Sequence, residues 1–134
     1  IADVANNYRI LATNASATVG TIYALAGTII LSRVTSTNTL GPALMADGAS
    51  VSFPRIVANS NCEHTSSVFP ALHAKYGGRI TFTGTGTTIT SVPAGDDAST
   101  ELTPTALGSY AQADFAVVGD YISSGDGSIV QRAA

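Results

Sequence analysis

The stretch GRITFTGTGTTITSV, residues 78–92, carries the clearest secondary-structure signal in the chain. Ile80 and Phe82 alternate with Thr81 and Thr83 along it. An alternation of apolar and polar residues with a period of two indicates a strand that is buried on one face only. We therefore expect a half-buried antiparallel hairpin here, with apolar side chains facing inward and threonines facing outward.

Similar β-rich runs lie on both sides of this stretch, and Gly, Asp, Asn and Pro residues separate them. Pro54 places its own strand at a sheet edge or a bulge. The dipeptide Asp47-Gly48 is typical of a hairpin turn, and Asp126-Gly127 is typical of a tight turn. The predicted strands cover residues 7–13, 17–26, 27–37, 50–58, 78–92, 113–122 and 128–132.

Short strands with frequent turns predict an all-β fold, which we expect to be an antiparallel β-sandwich or small barrel, with a jelly-roll-like variant included. One or two short helical turns are predicted as well. PALHAKYGG at 70–78 begins with a proline and ends with glycines, and TPTALGSYAQA at 103–113 is the second candidate. PAGDDAST at 93–100 reads as a polar loop, and no repeat of fixed period is evident.

The length of 134 residues predicts one domain covering residues 1–134, with residues 1–13 as an extended arm. No apolar run is long enough to cross a membrane. Scattered arginines and a net charge of −3 do not form the basic surface that nucleic-acid binding requires. A single cysteine excludes a disulfide within the chain.

Charged residues are the scarcest class in this sequence, at 11% against the roughly 25% of a typical soluble domain. Their place is taken by 17 threonines, 14 serines and 21 alanines. Because a free monomer normally covers its surface with charges, this composition favours a chain that hides much of its surface against partners. An extracellular domain with a neutral hydroxyl surface is the alternative.

The stretch NCEHTSSVFPALHAKYGG, residues 61–78, holds the only cysteine, Cys62, and both histidines, His64 and His73. These three residues are the candidate ligands of a Zn²⁺ or copper site. A structural zinc site needs four ligands with paired spacing, and only one cysteine is present. We therefore expect NCEHTSSV to be a polar connection, Cys62 to be a small buried residue, and the histidines to lie in a loop and on a helix surface.

A nucleophilic pair of Cys62 with one of the histidines requires a third group that orients the imidazole. Cys62 and His64 are two residues apart, so both side chains share one face if the segment is extended. No catalytic motif accompanies them. We expect Cys62 to lie outside bonding distance of both histidines and the protein not to be an enzyme, with no cofactor.

Other ligand classes have less support in the sequence. GTGTT at 84–88 lacks the third glycine and the helix of a phosphate-binding loop. Acidic residues at 96–97, 120 and 126 do not follow the spacing of an EF-hand calcium loop. Asn14 begins a glycosylation sequon. The five tyrosines are dispersed, and we interpret each as a strand or core residue whose hydroxyl reaches the surface.

The function predicted from these observations is structural. We expect a subunit of a viral virion, such as a capsid decoration or cement protein, that binds copies of itself and a major structural protein of the same assembly. The alternative is an extracellular filament or pilus subunit assembled by strand exchange, and a minor alternative is a small metal- or sugar-binding β domain. The expected location is therefore the virion or the extracellular space, without nucleic acid or a membrane span as partner.

Overall fold

The computed structural model describes residues 10–14, 20–30, 34–38, 40–53, 62–66, 70–83, 87–90, 98–100 and 121–133. In these residues the backbone forms thirteen strands and no helix. In chain order they are β1 Ile10–Asn14, β2 Ile22–Ala24, β3 Thr28–Ile30, β4 Val34–Asn38, β5 Leu44–Asp47, β6 Ser50–Phe53, β7 Cys62–Ser66, β8 Leu72–Lys75, β9 Arg79–Thr83, β10 Thr87–Thr90, β11 Ala98–Ser99, β12 Tyr121–Ser123 and β13 Ile129–Ala133.

Successive strands enter three sheets in rotation. Sheet A has the order β1-β4-β7-β10, sheet B has β2-β5-β8-β11, and sheet C has β3-β6-β9-β13-β12. Every neighbouring pair is parallel except β12 with β13. The described chain is therefore a parallel β-helix, in which each coil gives one strand to each sheet. Coils 1 to 3 are β1–β3, β4–β6 and β7–β9, and coil 4 contributes β10, β11 and β13.

The predicted antiparallel sandwich or barrel is wrong, because the sheets are largely parallel. The predicted alternation is confirmed at residues 80–82, where Ile80 and Phe82 are buried in β9 and Thr81 between them is half-buried. The hairpin is not real, since β9 lies in sheet C and β10 in sheet A. Alternation reports one buried face of a strand, and it does not report the direction of the neighbouring strand.

The core consists of apolar side chains stacked in register from coil to coil. In sheet B, Leu44 lies opposite Leu72, and both are fully buried. In sheet C, Val51 lies opposite Ile80, which in turn lies opposite Val130. Each such side chain contributes about 1.5–3 kcal/mol by leaving water. These stacks join the coils into one core along the axis.

Buried Asn38 organises the corner between sheets A and B. Its side-chain oxygen accepts hydrogen bonds from the backbone amides of Leu40 and Gly41, each at 3.0 Å. Its amide nitrogen donates to the Pro42 carbonyl at 3.0 Å. In the next coil, Ser66 lies opposite Asn38 and donates its hydroxyl to the Gly41 carbonyl at 2.8 Å. Polar side chains thus satisfy backbone groups that the corner leaves inside the molecule.

Glycines form the corner between sheets B and C, where Gly27, Gly48 and Gly77 adopt positive φ angles. The hairpin turn predicted at Asp47-Gly48 is wrong, because Asp47 ends β5 of sheet B and the bend at Gly48 leads to β6 of sheet C. At Gly78 a Cβ atom would lie 2.0 Å from the Ala46 carbonyl oxygen, so no other residue fits there without backbone movement. This corner therefore packs backbone against backbone between coils.

Residues 70–78 are not helical as predicted, because Leu72–Lys75 is strand β8. Pro70 and Gly77 bound a strand here, although the same residues also delimit short helices. The predicted polar connection at NCEHTSSV is wrong as well, since Cys62–Ser66 is strand β7. The helix candidate at 103–113 lies outside the described residues.

A repeat of variable period is present in the sequence, consistent with the absence of a fixed period. PALMA at 42–46 and PALHA at 70–74 occupy the same positions in coils 2 and 3, and β5 pairs with β8 in that register. The offset between paired residues is 22 from β2 to β5 and 28 from β5 to β8. This variable coil length explains why no fixed period is evident.

Two other predicted segments are covered in part. Residues 10–13 of the proposed N-terminal arm belong to β1, which pairs with β4, and residues 1–9 lie outside the described part of the chain. In the predicted polar loop, Ala98 and Ser99 form β11 and are buried, while residues 93–97 are not described. The predicted turn at Asp126-Gly127 does close an antiparallel hairpin, between β12 and β13.

Candidate functional site

The three candidate metal ligands lie on two different sheets. Cys62 and His64 are in β7 of sheet A, where Cys62 pairs with Thr87 and His64 pairs with Ile89. His73 is in β8 of sheet B, beyond the next corner of the same coil. The described residues contain no group of three or more His, Cys, Asp or Glu side chains that could hold a metal ion. The distance from Cys62 to either histidine stays a prediction, because the Cys62 side chain is outside the described set.

His73 is a buried strand residue and not the helix-surface residue that we expected, with only 2% of its surface exposed. In the register of sheet B it lies opposite Met45 and Ser99, which are also buried. Tyr23 occupies the corresponding position in coil 1 and is 42% exposed. His73 therefore belongs to a packed column of the sheet.

A second cluster of polar groups lies where sheet B meets its corner with sheet C. The Tyr23 hydroxyl donates a hydrogen bond to Asp47 Oδ2 at 2.8 Å. Lys75 Nζ lies 3.9 Å from the same oxygen and 5.6 Å from the ring centre of Tyr76. We call these four residues the tyrosine strip; they come from coils 1, 2 and 3 and so follow the helix axis.

The outer residues of the tyrosine strip are exposed, and its central charges are partly covered. Tyr76 is 62% exposed and Tyr23 is 42% exposed. The side chains of Lys75 and Asp47 retain 19% and 16% of their exposure. The hydrogen bond to Asp47, burial and the charge of Asp47 all raise the pKa of Tyr23, the hydrogen bond most. Tyr23 therefore stays protonated and keeps donating to the carboxylate at neutral pH.

The backbone of Tyr76 has a left-handed conformation, with φ at +52°. Among the described residues it is the only non-glycine with a positive φ. This conformation costs an L-residue with a Cβ about 1–2 kcal/mol. The Tyr76 amide donates to Asp126 Oδ2 at 2.8 Å, and the Gly77 amide donates to Ser128 Oγ at 3.1 Å. The loop between β12 and β13 thus holds the strained turn from the next coil.

Asp126 is the residue that organises this loop. Its second oxygen accepts hydrogen bonds from the Ser124 hydroxyl and from the Ser128 amide, the latter at 3.0 Å. These donors, Ser124 first, lower the pKa of Asp126 well below its usual range. Of the acidic residues considered for calcium, Asp126 is the one that the structure describes, and its oxygens serve protein donors.

Sequence reasoning did not identify the tyrosine strip. Tyr23 lies in a strand as expected, but Tyr76 lies in a turn with most of its surface exposed. The signal was present in the aligned repeats: in register, three residues lie between Ala46 and Ser50 of coil 2, whereas four lie between their partners Ala74 and Arg79 of coil 3. An extra corner residue that is aromatic is unusual where glycine is available.

The chain was compared with protein-family models, curated proteins and solved structures. No protein-family model, no curated protein and no solved structure matches the chain. In the described residues, no helix is long and apolar enough to cross a membrane.

Proposed function

We propose that this chain is a non-enzymatic structural subunit of a larger assembly, joined through the coil 1 end of its β-helix. The observation that carries the proposal is the edge position of β1, β2 and β3 in their three sheets. No strand of the described residues pairs with their outer edges. Such edges offer rows of backbone donors and acceptors that readily pair with another chain.

Exposed apolar side chains in coil 1 also indicate that this end of the β-helix is the contact surface. Leu25 is 64% exposed, and Ile30, in the edge strand β3, is 58% exposed. In the register of sheet C, the position of Ile30 is taken by Ser52, Thr81 and Gln131 in the following coils. Apolar groups at the end coil and polar groups in the inner coils are expected if coil 1 meets a partner.

A difference between the two ends favours the virion accessory subunit over the filament subunit. At the coil 4 end, β10 and β11 are edge strands of sheets A and B, as β1 and β2 are at the coil 1 end, but sheet C finishes with β12, which runs antiparallel to β13. A filament needs each subunit to be bound at two complementary surfaces, whereas a decoration or cement subunit needs one attachment surface. The proposed partners are copies of the chain and a major structural protein of the same assembly.

Sedimentation velocity over a range of protein concentrations tests this proposal. We expect the wild-type chain to self-associate, and Ile30→Lys to shift it to the monomer because a charge at a sheet edge opposes pairing. Leu40→Lys is the matched control. Leu40 is 49% exposed at the corner between sheets A and B in coil 2, so its substitution should not change association. A soluble wild-type monomer at the highest concentrations would contradict the proposal.

A further inference from the structure

Tyr76 has a strained backbone conformation at a corner where the fold does not require a large side chain. Coil 2 passes the same corner with Gly48, which has a φ of +69°. Coil 3 has one residue more, and Tyr76 is held at +52° with 62% of its surface in solvent. In repeat proteins, insertions of this kind concentrate on a binding face. Strain retained at an exposed residue points to a role in binding rather than in folding.

The tyrosine strip presents two kinds of group to solvent. Tyr23 and Tyr76 offer aromatic rings, each with an apolar face. Between them, Asp47 is a hydrogen-bond acceptor only, and Lys75 is a donor only. Their contacts with each other and with the rings fix this arrangement before any ligand arrives, which reduces the entropy cost of binding.

We infer that the tyrosine strip binds a short saccharide that lies along the helix axis. A sugar ring has an apolar C–H face that fits an aromatic ring, and hydroxyls that both donate and accept. Those hydroxyls match the ammonium of Lys75 and the carboxylate of Asp47. The strip spans two strand spacings, about 10 Å, which suits a disaccharide.

A protein partner fits this surface less well. Aromatic hot spots of protein interfaces lie inside a shell of contacts that excludes water. Here the rings flank a charged pair, Asp47 with Lys75, at an exposed corner whose other described residues include Leu25, Gly27 and Gly48. A saccharide uses the charged pair directly, whereas a protein would have to desolvate it.

Saturation-transfer difference NMR with maltose, cellobiose, lactose and chitobiose at millimolar concentration tests the inference on the full chain. We expect at least one disaccharide to receive saturation from the protein. Tyr76→Gly should weaken its binding by about tenfold or more without lowering the melting temperature, because glycine relieves the left-handed strain. Asp47→Asn, which leaves the corner backbone untouched, should also weaken it.

Two further variants separate this site from general effects of tyrosine. Tyr76→Phe keeps the ring and should retain binding. Tyr121→Ala removes a tyrosine of intermediate exposure, 53%, from β12 and should retain binding as well. The inference is overturned if none of the disaccharides receives saturation, if Tyr76→Gly binds as the wild type does, or if Tyr121→Ala loses binding to the same extent. A melting temperature lowered by Tyr76→Gly would refute the strain argument on which it rests.

Discussion

Coil 1 and coil 3 occupy the same columns of the β-helix but meet different surroundings. In sheet B, His73 of coil 3 lies between two neighbouring strands and is 2% exposed, whereas Tyr23 of coil 1 lies at an edge and is 42% exposed. In sheet C, half-buried Thr81 of coil 3 corresponds to Ile30 of coil 1, which is 58% exposed. Of these two positions in sheet C, the apolar residue, Ile30, therefore occupies the more exposed one.

This difference teaches that burial in a solenoid depends on the next coil more than on the residue itself. Inner coils are stabilised from both sides, so changes there should cost most. The end coil lacks one neighbour within the described structure, so changes there should cost little in the isolated chain. The end coil is also where a partner would add the missing neighbour.

The largest expected effect is at Phe82, which is 1% exposed in β9. Arg132 Cζ lies 5.4 Å from the centre of its ring. Phe82→Ala should lower the free energy of unfolding by about 3–5 kcal/mol through lost burial and the cavity left behind. The measurement is chemical denaturation followed by circular dichroism. Ile30→Ala, in coil 1, serves as the comparison, with an expected loss of less than about 1 kcal/mol. Equal losses at the two positions would contradict the contrast between coils.

A smaller effect is expected at Gly78, where coil 3 touches the backbone of coil 2. Gly78→Ala should lower the free energy of unfolding by about 1–3 kcal/mol, because its Cβ would collide with the Ala46 carbonyl and the coils would have to separate. Gly125→Ala is the matched control, since a Cβ at Gly125 meets nothing within 4 Å. Thermal melting of both variants measures the difference. Tolerance of alanine at Gly78 would show that the coils do not approach as closely as described.

The smallest expected effect is at Asp126, in the loop between β12 and β13 that binds the backbone of Tyr76. The pKa of Asp126 is lower in the folded chain than its ordinary value of 3.8, so the unfolded chain binds the proton more tightly. Its contribution to stability is therefore complete above that ordinary value and is lost as the pH falls below it. Because Asp126 is exposed, this contribution is strongly screened by solvent.

Denaturation of the wild type and of Asp126→Asn at about pH 6 and about pH 3 measures this contribution. We expect the wild type to be the more stable at the higher pH and the difference to shrink at the lower one. A difference between wild type and Asp126→Asn that grows on acidification would contradict the hydrogen bonding described for Asp126.

The sequence was sufficient to predict a β-rich chain and the alternating burial within β9, but not the burial of His73. Ile80 and Phe82 are buried next to half-buried Thr81, and Asp126-Gly127 closes a hairpin. These features depend on residues close together in the chain, where alternation and turn chemistry act directly.

Sheet topology could not be predicted in the same way. Asp47-Gly48 has the residues of a hairpin turn, yet it forms a corner between two sheets. The reason is that β5 pairs with β8, whose residues lie 28 positions further along the chain. Pro70 and Gly77 delimit a strand that resembles a short helix in sequence. Aligning PALMA with PALHA reveals the coils, and only that alignment makes Tyr76 stand out as part of a longer corner.

The register of β5 and β8 tests the central claim, a parallel β-helix, most directly. Backbone nuclear Overhauser effects between Leu44–Asp47 and Leu72–Lys75 measure it in solution. The structure predicts cross-peaks that connect Leu44 with Leu72 and Asp47 with Lys75, so both residue numbers rise together along the strands. Cross-peaks that connect Leu44 with Lys75 and Asp47 with Leu72 would show antiparallel strands and contradict the fold.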